Sequence, residues 1–162
     1  MTATPAARPR PRRPLLSRIP PPVMFTLMLA GTIAVARFLP GPLLWAWPTN
    51  LAGAVLMLAG LVLAVGAVMA FRRAGVSPRL FEGGPQVVSH GPFSRTRNPM
   101  YLSLIVTLAG AATVMGHVLP YAGPVLLFLW FDRVFVPREE AVLAAHFGPD
   151  WSAYTTRVRR WV

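Results

Sequence analysis

Four long apolar runs divide the chain, each set off by a cluster of polar, proline or glycine residues. Val23 to Leu39 is apolar apart from Thr26, Thr32 and Arg37. As a helix it reaches roughly 25 Å, short but sufficient for a membrane crossing in which Arg37 snorkels to the nearer interface. Pro40-Gly41-Pro42 ends that run, and Trp45 and Trp47 precede the next, where indoles favour the headgroup layer. Leu51 to Phe71 holds no charge, spans roughly 31 Å as a helix, and carries Gly53, Gly60 and Gly66, which allow close helix contact. Pro99 to Val118 and Tyr121 to Val136 are the third and fourth runs; little more than Leu119 and Pro120 separates them, which predicts an antiparallel helical hairpin. The expected fold is all-α, a multi-pass integral membrane helix bundle with four spans.

Three polar stretches complete the organisation. Met1 to Pro22 is rich in proline and arginine without an acid, and reads as a disordered tail. Residues 72–98 form a connector too long for an idle turn, with Arg72, Arg73, Arg79, Arg95 and Arg97 and the turn signals Gly83-Gly84-Pro85 and Gly91-Pro92. Residues 137–162 are polar and arginine-bearing and read as an interfacial helical segment beside the four-span domain of residues 23–136.

Composition sharpens this picture. Apolar residues make up 54% of the 162 and charged ones 13%, against about a quarter charged in soluble domains, so a water-soluble globule is excluded. All sixteen basic residues are arginine and the net charge is +11, which alone admits nucleic acid, anionic lipid or a GC-rich genome. Position decides: with the N-terminal tail in the cytoplasm, the connector and C-terminal segment fall on the same side, and the two outer turns carry almost no arginine. A nucleic-acid face does not alternate with spans of membrane length, so no nucleic-acid partner is expected. The expected location is a bacterial cytoplasmic membrane with both termini in the cytoplasm. Ala34-Val35-Ala36 also resembles a signal-peptidase site, whose use would remove the first span alone. Without cysteine there is no disulfide framework, thiolate nucleophile or sulfur-bound zinc.

Short outer turns leave the inner rim as the place for chemistry. Four of the five acids, Asp132, Glu139, Glu140 and Asp150, lie in the last 31 residues, and carboxylates at a membrane boundary require solvent or partners. Asn98-Pro99 reads as an N-cap followed by proline at the first helical position, and the free amides there, with Arg95 and Arg97 nearby, favour an anion; the plainer reading is a capped helix with snorkelling arginines. Pro137-Arg138-Glu139-Glu140 reads as the start of a short helix whose acids either complement its dipole or grip hydroxyls and an ammonium. Asp150 is expected to cap the next helix, where Trp151, Tyr154, Val158 and Trp161 form one apolar stripe: either a lid or a membrane anchor. His90 is the histidine best placed for a site; His117 reads as interfacial and His146 as locally packed. No spacing of histidine and acid makes a metal site.

His90-Gly91-Pro92-Phe93, Arg95-Thr96-Arg97-Asn98-Pro99-Met100-Tyr101-Leu102, Pro137-Arg138-Glu139-Glu140, Phe147-Gly148, Trp151, Tyr154 and Arg157-Val158-Arg159-Arg160-Trp161, in that order, resemble the isoprenylcysteine carboxyl methyltransferase family, with its bacterial homologues and the related phospholipid N-methyltransferases. The resemblance covers the C-terminal half strongly and the first two spans in hydropathy alone. It implies a membrane methyltransferase using S-adenosylmethionine, bound at the cytoplasmic side by His90, Gly91, Pro92, Arg97, Asn98, Pro99, Tyr101, Leu102, Glu139 and Glu140. It places an arginine clamp for the acceptor at Arg133 or Arg138 and counts Glu139 among the catalytic residues. The family commonly has histidine where this chain has Asn98.

The implied reaction is O-methylation of a carboxylate on a lipophilic acceptor that enters from the bilayer, since a carboxylate is already ionised and needs no general base. An amine acceptor, as in phospholipid N-methylation, needs a base such as His90 or a glutamate. A small non-enzymatic membrane scaffold is the third reading.

Overall fold

A computed structural model describes residues 19–39, 41–76 and 86–162. The proline- and arginine-rich tail to residue 18, and the part of the connector holding Arg79 and Gly83-Gly84-Pro85, lie outside the described residues. Five helices account for most of the remainder: α1 (Pro21–Phe38), α2 (Leu51–Arg73), α3 (Pro99–Met115), α4 (Leu119–Phe147) and α5 (Pro149–Arg157). A short 3₁₀ turn, Gly91–Ser94, precedes α3. No named strand occurs among the described residues; an isolated bridge joins Leu43 to His117.

α1, α3 and α5 each open on proline, whose missing N–H is harmless there; α3 starts at Pro99 as expected, whereas α1 begins at Pro21, two residues before the expected Val23 and within the stretch read as tail. α1, α2 and α4 are long and apolar enough to cross a membrane. α3 is shorter, with 17 residues. Gly116 ends it before Val118 by turning left-handed at φ 78°, a conformation glycine adopts without a Cβ penalty.

Small residues set the packing. On α2, Gly53, Gly60 and Ala67 are buried at every seventh position, facing α3 and the 3₁₀ turn. A Cβ on Gly53 would lie 2.5 Å from the Gly110 carbonyl oxygen, and one on Gly110 would lie 2.6 Å from the Gly53 oxygen. The two backbones therefore touch, which is how apolar helices gain contact where no hydrophobic drive separates them from lipid. Further along, Gly66 seats Pro92 of the 3₁₀ turn. α1 meets α4 where Gly123 lies against the Thr32 hydroxyl, and Met24 joins Tyr101, Leu108, Leu127, Trp130, Phe131, Phe135 and Val136 in the main core. Val55, Leu58, Leu61 and Val62 of α2 are exposed, an apolar surface suited to acyl chains.

At the end of the bundle remote from the acids, the Tyr121 hydroxyl accepts the Trp45 indole N–H at 3.2 Å and lies 2.7 Å from the Thr113 hydroxyl. His117 Nδ1 is 3.2 Å from the Gly41 carbonyl oxygen. Trp45 and Trp47 are both exposed there.

Candidate functional site

The opposite end is built on the start of α3. Asn98 occupies the N-cap position, but its side chain makes no capping bond. Its amide instead donates to the Arg160 carbonyl at 3.0 Å, joined by the Thr96 hydroxyl at 3.0 Å to the same oxygen. Arg97 donates its backbone N–H to the Arg159 carbonyl at 2.9 Å and its guanidinium to the carbonyls of Thr155 and Val158. Three consecutive residues therefore hold the chain that follows α5 as an extended strap.

Opposite this start runs α4, in which Phe131–Phe135 forms a π-turn. The cause is Pro137: in a regular helix its ring would collide with the carbonyl four residues back and its missing N–H would leave that oxygen unpaired. The widened turn, closed by the Val136 N–H on the Phe131 oxygen, lets the helix continue. The short α-helical stretch expected here is Val136–Phe147, with Pro137 at its start and Glu139 in its first turn, but it is not separate: the π-turn joins it to the preceding residues and α4 runs on without a break.

The twin glutamates on this helix face different partners. Glu139 accepts the Tyr101 hydroxyl at 2.8 Å. Tyr101 is itself buried, stacked on Phe131 at 4.6 Å and edge-on to Phe135. Glu140 meets two guanidinium groups, Arg97 at 2.8 Å and Arg160 at 2.6 Å. Arg160 extends to Asp132 at 3.4 Å, and Asp132 also accepts the Trp161 indole N–H at 2.9 Å. These charge-assisted bonds hold the Arg160 guanidinium above its usual range, with Glu140 the main cause. The Tyr154 hydroxyl donates to the Phe93 carbonyl at 2.7 Å, tying α5 to the 3₁₀ turn; burial pushes this phenol up to about 12, with the Arg97 charge opposing.

Of the residues singled out from sequence, Arg97, Asn98 and Glu140 are bonded into one network with the strap, while Tyr101 and Glu139 bond to each other on the same two helices. Pro99 is fully buried beneath them, and Leu102 is half-buried one turn further along α3. His90 and Gly91 are exposed at the 3₁₀ turn, and Pro92 is half-buried against Gly66. Gly91 adopts φ 61°. Arg133 is 77% exposed and pairs with its neighbour Asp132; Arg138 is exposed.

Two further expectations change. Asp150 sits in the first turn of α5 while Gly148 holds the cap position. The stripe Trp151, Tyr154, Val158 and Trp161 is divided, because α5 ends at Arg157: the first three pack with Val87, Leu143 and Phe147, whereas Trp161 packs on Phe128 of α4. Sequence reasoning missed Arg160, Asp132 and Trp161 as members of the site. Asp132 and Arg160 stand 28 residues apart; the available signal was an arginine-tryptophan pair placed just past the end of a helix.

This arrangement can grip a polar molecule with both charges. Trp130 Nε1 is buried without a hydrogen-bond partner in the same aromatic cluster, an unused donor. No group of three or more metal-ligating side chains occurs among the described residues.

The sequence model of the phospholipid methyltransferase family matches residues 48–150, more than half of the chain, from just before α2 into the first turn of α5. An uncharacterized protein of Haemophilus influenzae is 33% identical over 63 residues, 39% of this chain and all of that relative. No solved structure matches.

Proposed function

Because the chain belongs to the phospholipid methyltransferase family, we propose that this membrane methyltransferase uses S-adenosylmethionine, held at the rim where the start of α3, the twin glutamates and the strap meet. One observation carries the reading: two motifs about forty residues apart in sequence are bonded, Tyr101 to Glu139 and Arg97 to Glu140, each at 2.8 Å. The rim suits a donor bearing an ammonium, a sulfonium and a carboxylate. Glu139 can take a positive group, and the guanidinium groups and the α3 start favour a negative one.

When bound, the donor supplies a sulfonium methyl for in-line displacement, which calls on the protein for alignment and for exclusion of water. Here Tyr101 orients Glu139 through its hydroxyl, and Phe131 and Phe135 fix the Tyr101 ring. The strap covers the start of α3. His90, Gly91, Pro92 and Leu102 flank the donor in this reading, and the exposed arginines Arg133 and Arg138 meet the acceptor.

The acceptor we favour is a lipophilic carboxylate entering sideways from the bilayer, already ionised and needing no base. The family description favours a second reading, methylation of a phospholipid amine, in which Glu139 takes the amine's proton. We further propose that α3 also crosses the bilayer, in contact with α2, giving four spans with both termini in the cytoplasm of a bacterium. The rim then faces the source of the donor.

Incubating membranes that contain the protein with methyl-labelled S-adenosylmethionine, followed by lipid mass spectrometry, tests the function. Label in a base-labile ester is expected. Label in phosphatidylethanolamine derivatives selects the amine reading. No label, together with no donor binding by the folded protein, leaves only a scaffold and overturns the proposal.

A further inference from the structure

The three carboxylates of α4 are not equivalent. Asp132 and Glu140 have arginine partners, whereas the hydrogen-bond partner of Glu139 among the described residues is the neutral Tyr101 hydroxyl. A half-buried carboxylate without a cation carries a desolvation cost that a neutral donor only partly offsets.

Helix geometry explains how the partners are sorted. At about 100° per residue in a regular helix, Glu139 lies about 20° round the axis from Asp132 and Glu140 about 80°. An uninterrupted α4 therefore aligns Asp132 with Glu139. Asp132 lies near the start of the π-turn Phe131–Phe135, and the turn absorbs about one extra residue before the glutamates, which brings Glu140 to within about 20° and turns Glu139 to roughly 100–120°. One guanidinium, Arg160, then reaches both Asp132 at 3.4 Å and Glu140 at 2.6 Å. That residue enters from the strap, whose course is fixed independently by Thr96, Arg97 and Asn98.

We propose that Arg160 is a positioning residue: by clasping Asp132 and Glu140 on the face that the π-turn aligns, it assigns Glu140 to the strap and leaves Glu139 to meet the positive charge of the methyl donor. This rests on the reading of the rim as a donor site. Arg160 acts on the donor through α4 and not by contact with it. Lysine is a poor replacement, since a single ammonium lacks the fork that reaches two carboxylates at once.

The test is binding of methyl-labelled S-adenosylmethionine to the full chain in detergent by equilibrium dialysis. Arg160→Met is expected to weaken binding roughly tenfold, the scale of a lost charge-assisted contact, and Arg160→Lys by an intermediate factor. In a Glu139→Gln background, Arg160→Met is expected to change the residual affinity by less than about twofold, because the group it positions is already gone. If binding by Glu139→Gln is too weak to measure, Glu139→Asp, whose carboxylate is kept but drawn back by one methylene, is the background and a loss smaller than that in the native background is expected; Arg160→Lys carries the comparison if Arg160→Met elutes aggregated. Unchanged affinity in Arg160→Met overturns the inference. So does an equal loss in both backgrounds, which marks general damage to the fold. Absence of binding by the unaltered protein overturns the donor site itself and is thereby distinguished.

Discussion

Asn98 holds the cap position of α3 without capping it, and that single side chain shows what sequence can and cannot reveal. Its place before Pro99 was legible, because proline at the first helical position is a local rule. Its bond to the Arg160 carbonyl was not, because 62 residues intervene and no periodicity encodes such a meeting. The same holds for Asp132 with Trp161. Glu139 and Tyr101 were both legible as candidates, yet the bond between them was not. Asn98→Ala is expected to cost about 1 kcal/mol, one neutral hydrogen bond, read as an earlier midpoint of thermal inactivation in detergent. Tyr101→Phe keeps the stacked ring and removes the donor to Glu139. It is expected to weaken donor binding several-fold, again about one hydrogen bond, with little change in that midpoint.

Helix boundaries were largely legible because they depend on local chemistry: prolines at the starts, arginines at the end of α2, apolar runs between. α4 is the instructive exception. Pro137 signals a helix start, and the expected break is absent because a π-turn accommodates the ring while the apolar side chains on both sides continue into one core. Tertiary packing decided between two outcomes that proline alone leaves open. A close helix contact along α2 was anticipated from Gly53 and Gly60, whereas its partner α3, which meets them at Gly110 and Thr107, was not. Gly110→Ala places a Cβ 2.6 Å from the Gly53 oxygen and 2.8 Å from the Met57 nitrogen, atoms that cannot rotate aside. Overpacking of this kind costs about 1–3 kcal/mol, so faster thermal inactivation is expected. Gly31→Ala, with nothing within 4 Å of the new carbon, serves as the control and is expected to be unchanged or slightly more stable.

For the whole molecule, the alternation of apolar runs with arginine clusters conveyed the helical membrane class, and the ordered motifs conveyed the family. The internal geometry of the rim came only with the fold, since it is assembled from the start of α3, the middle of α4 and the strap. The proposed topology can be probed cleanly because the chain has no cysteine of its own. Exposed Thr49 and Ala145 are suitable positions. With four spans, a membrane-impermeant maleimide labels Thr49→Cys in intact cells and Ala145→Cys only after permeabilisation; labelling of both from one side contradicts the three crossings proposed between them.

The most direct test of the rim as a donor site is photo-crosslinking of methyl-labelled S-adenosylmethionine to the purified, folded protein, followed by peptide mapping. Label confined to peptides spanning residues 90–102, 131–147 or 154–161, and competed away by S-adenosylhomocysteine, is the predicted result. Competable label on peptides of α1 or of the segment around Trp45 would contradict the account, as would no competable label at all.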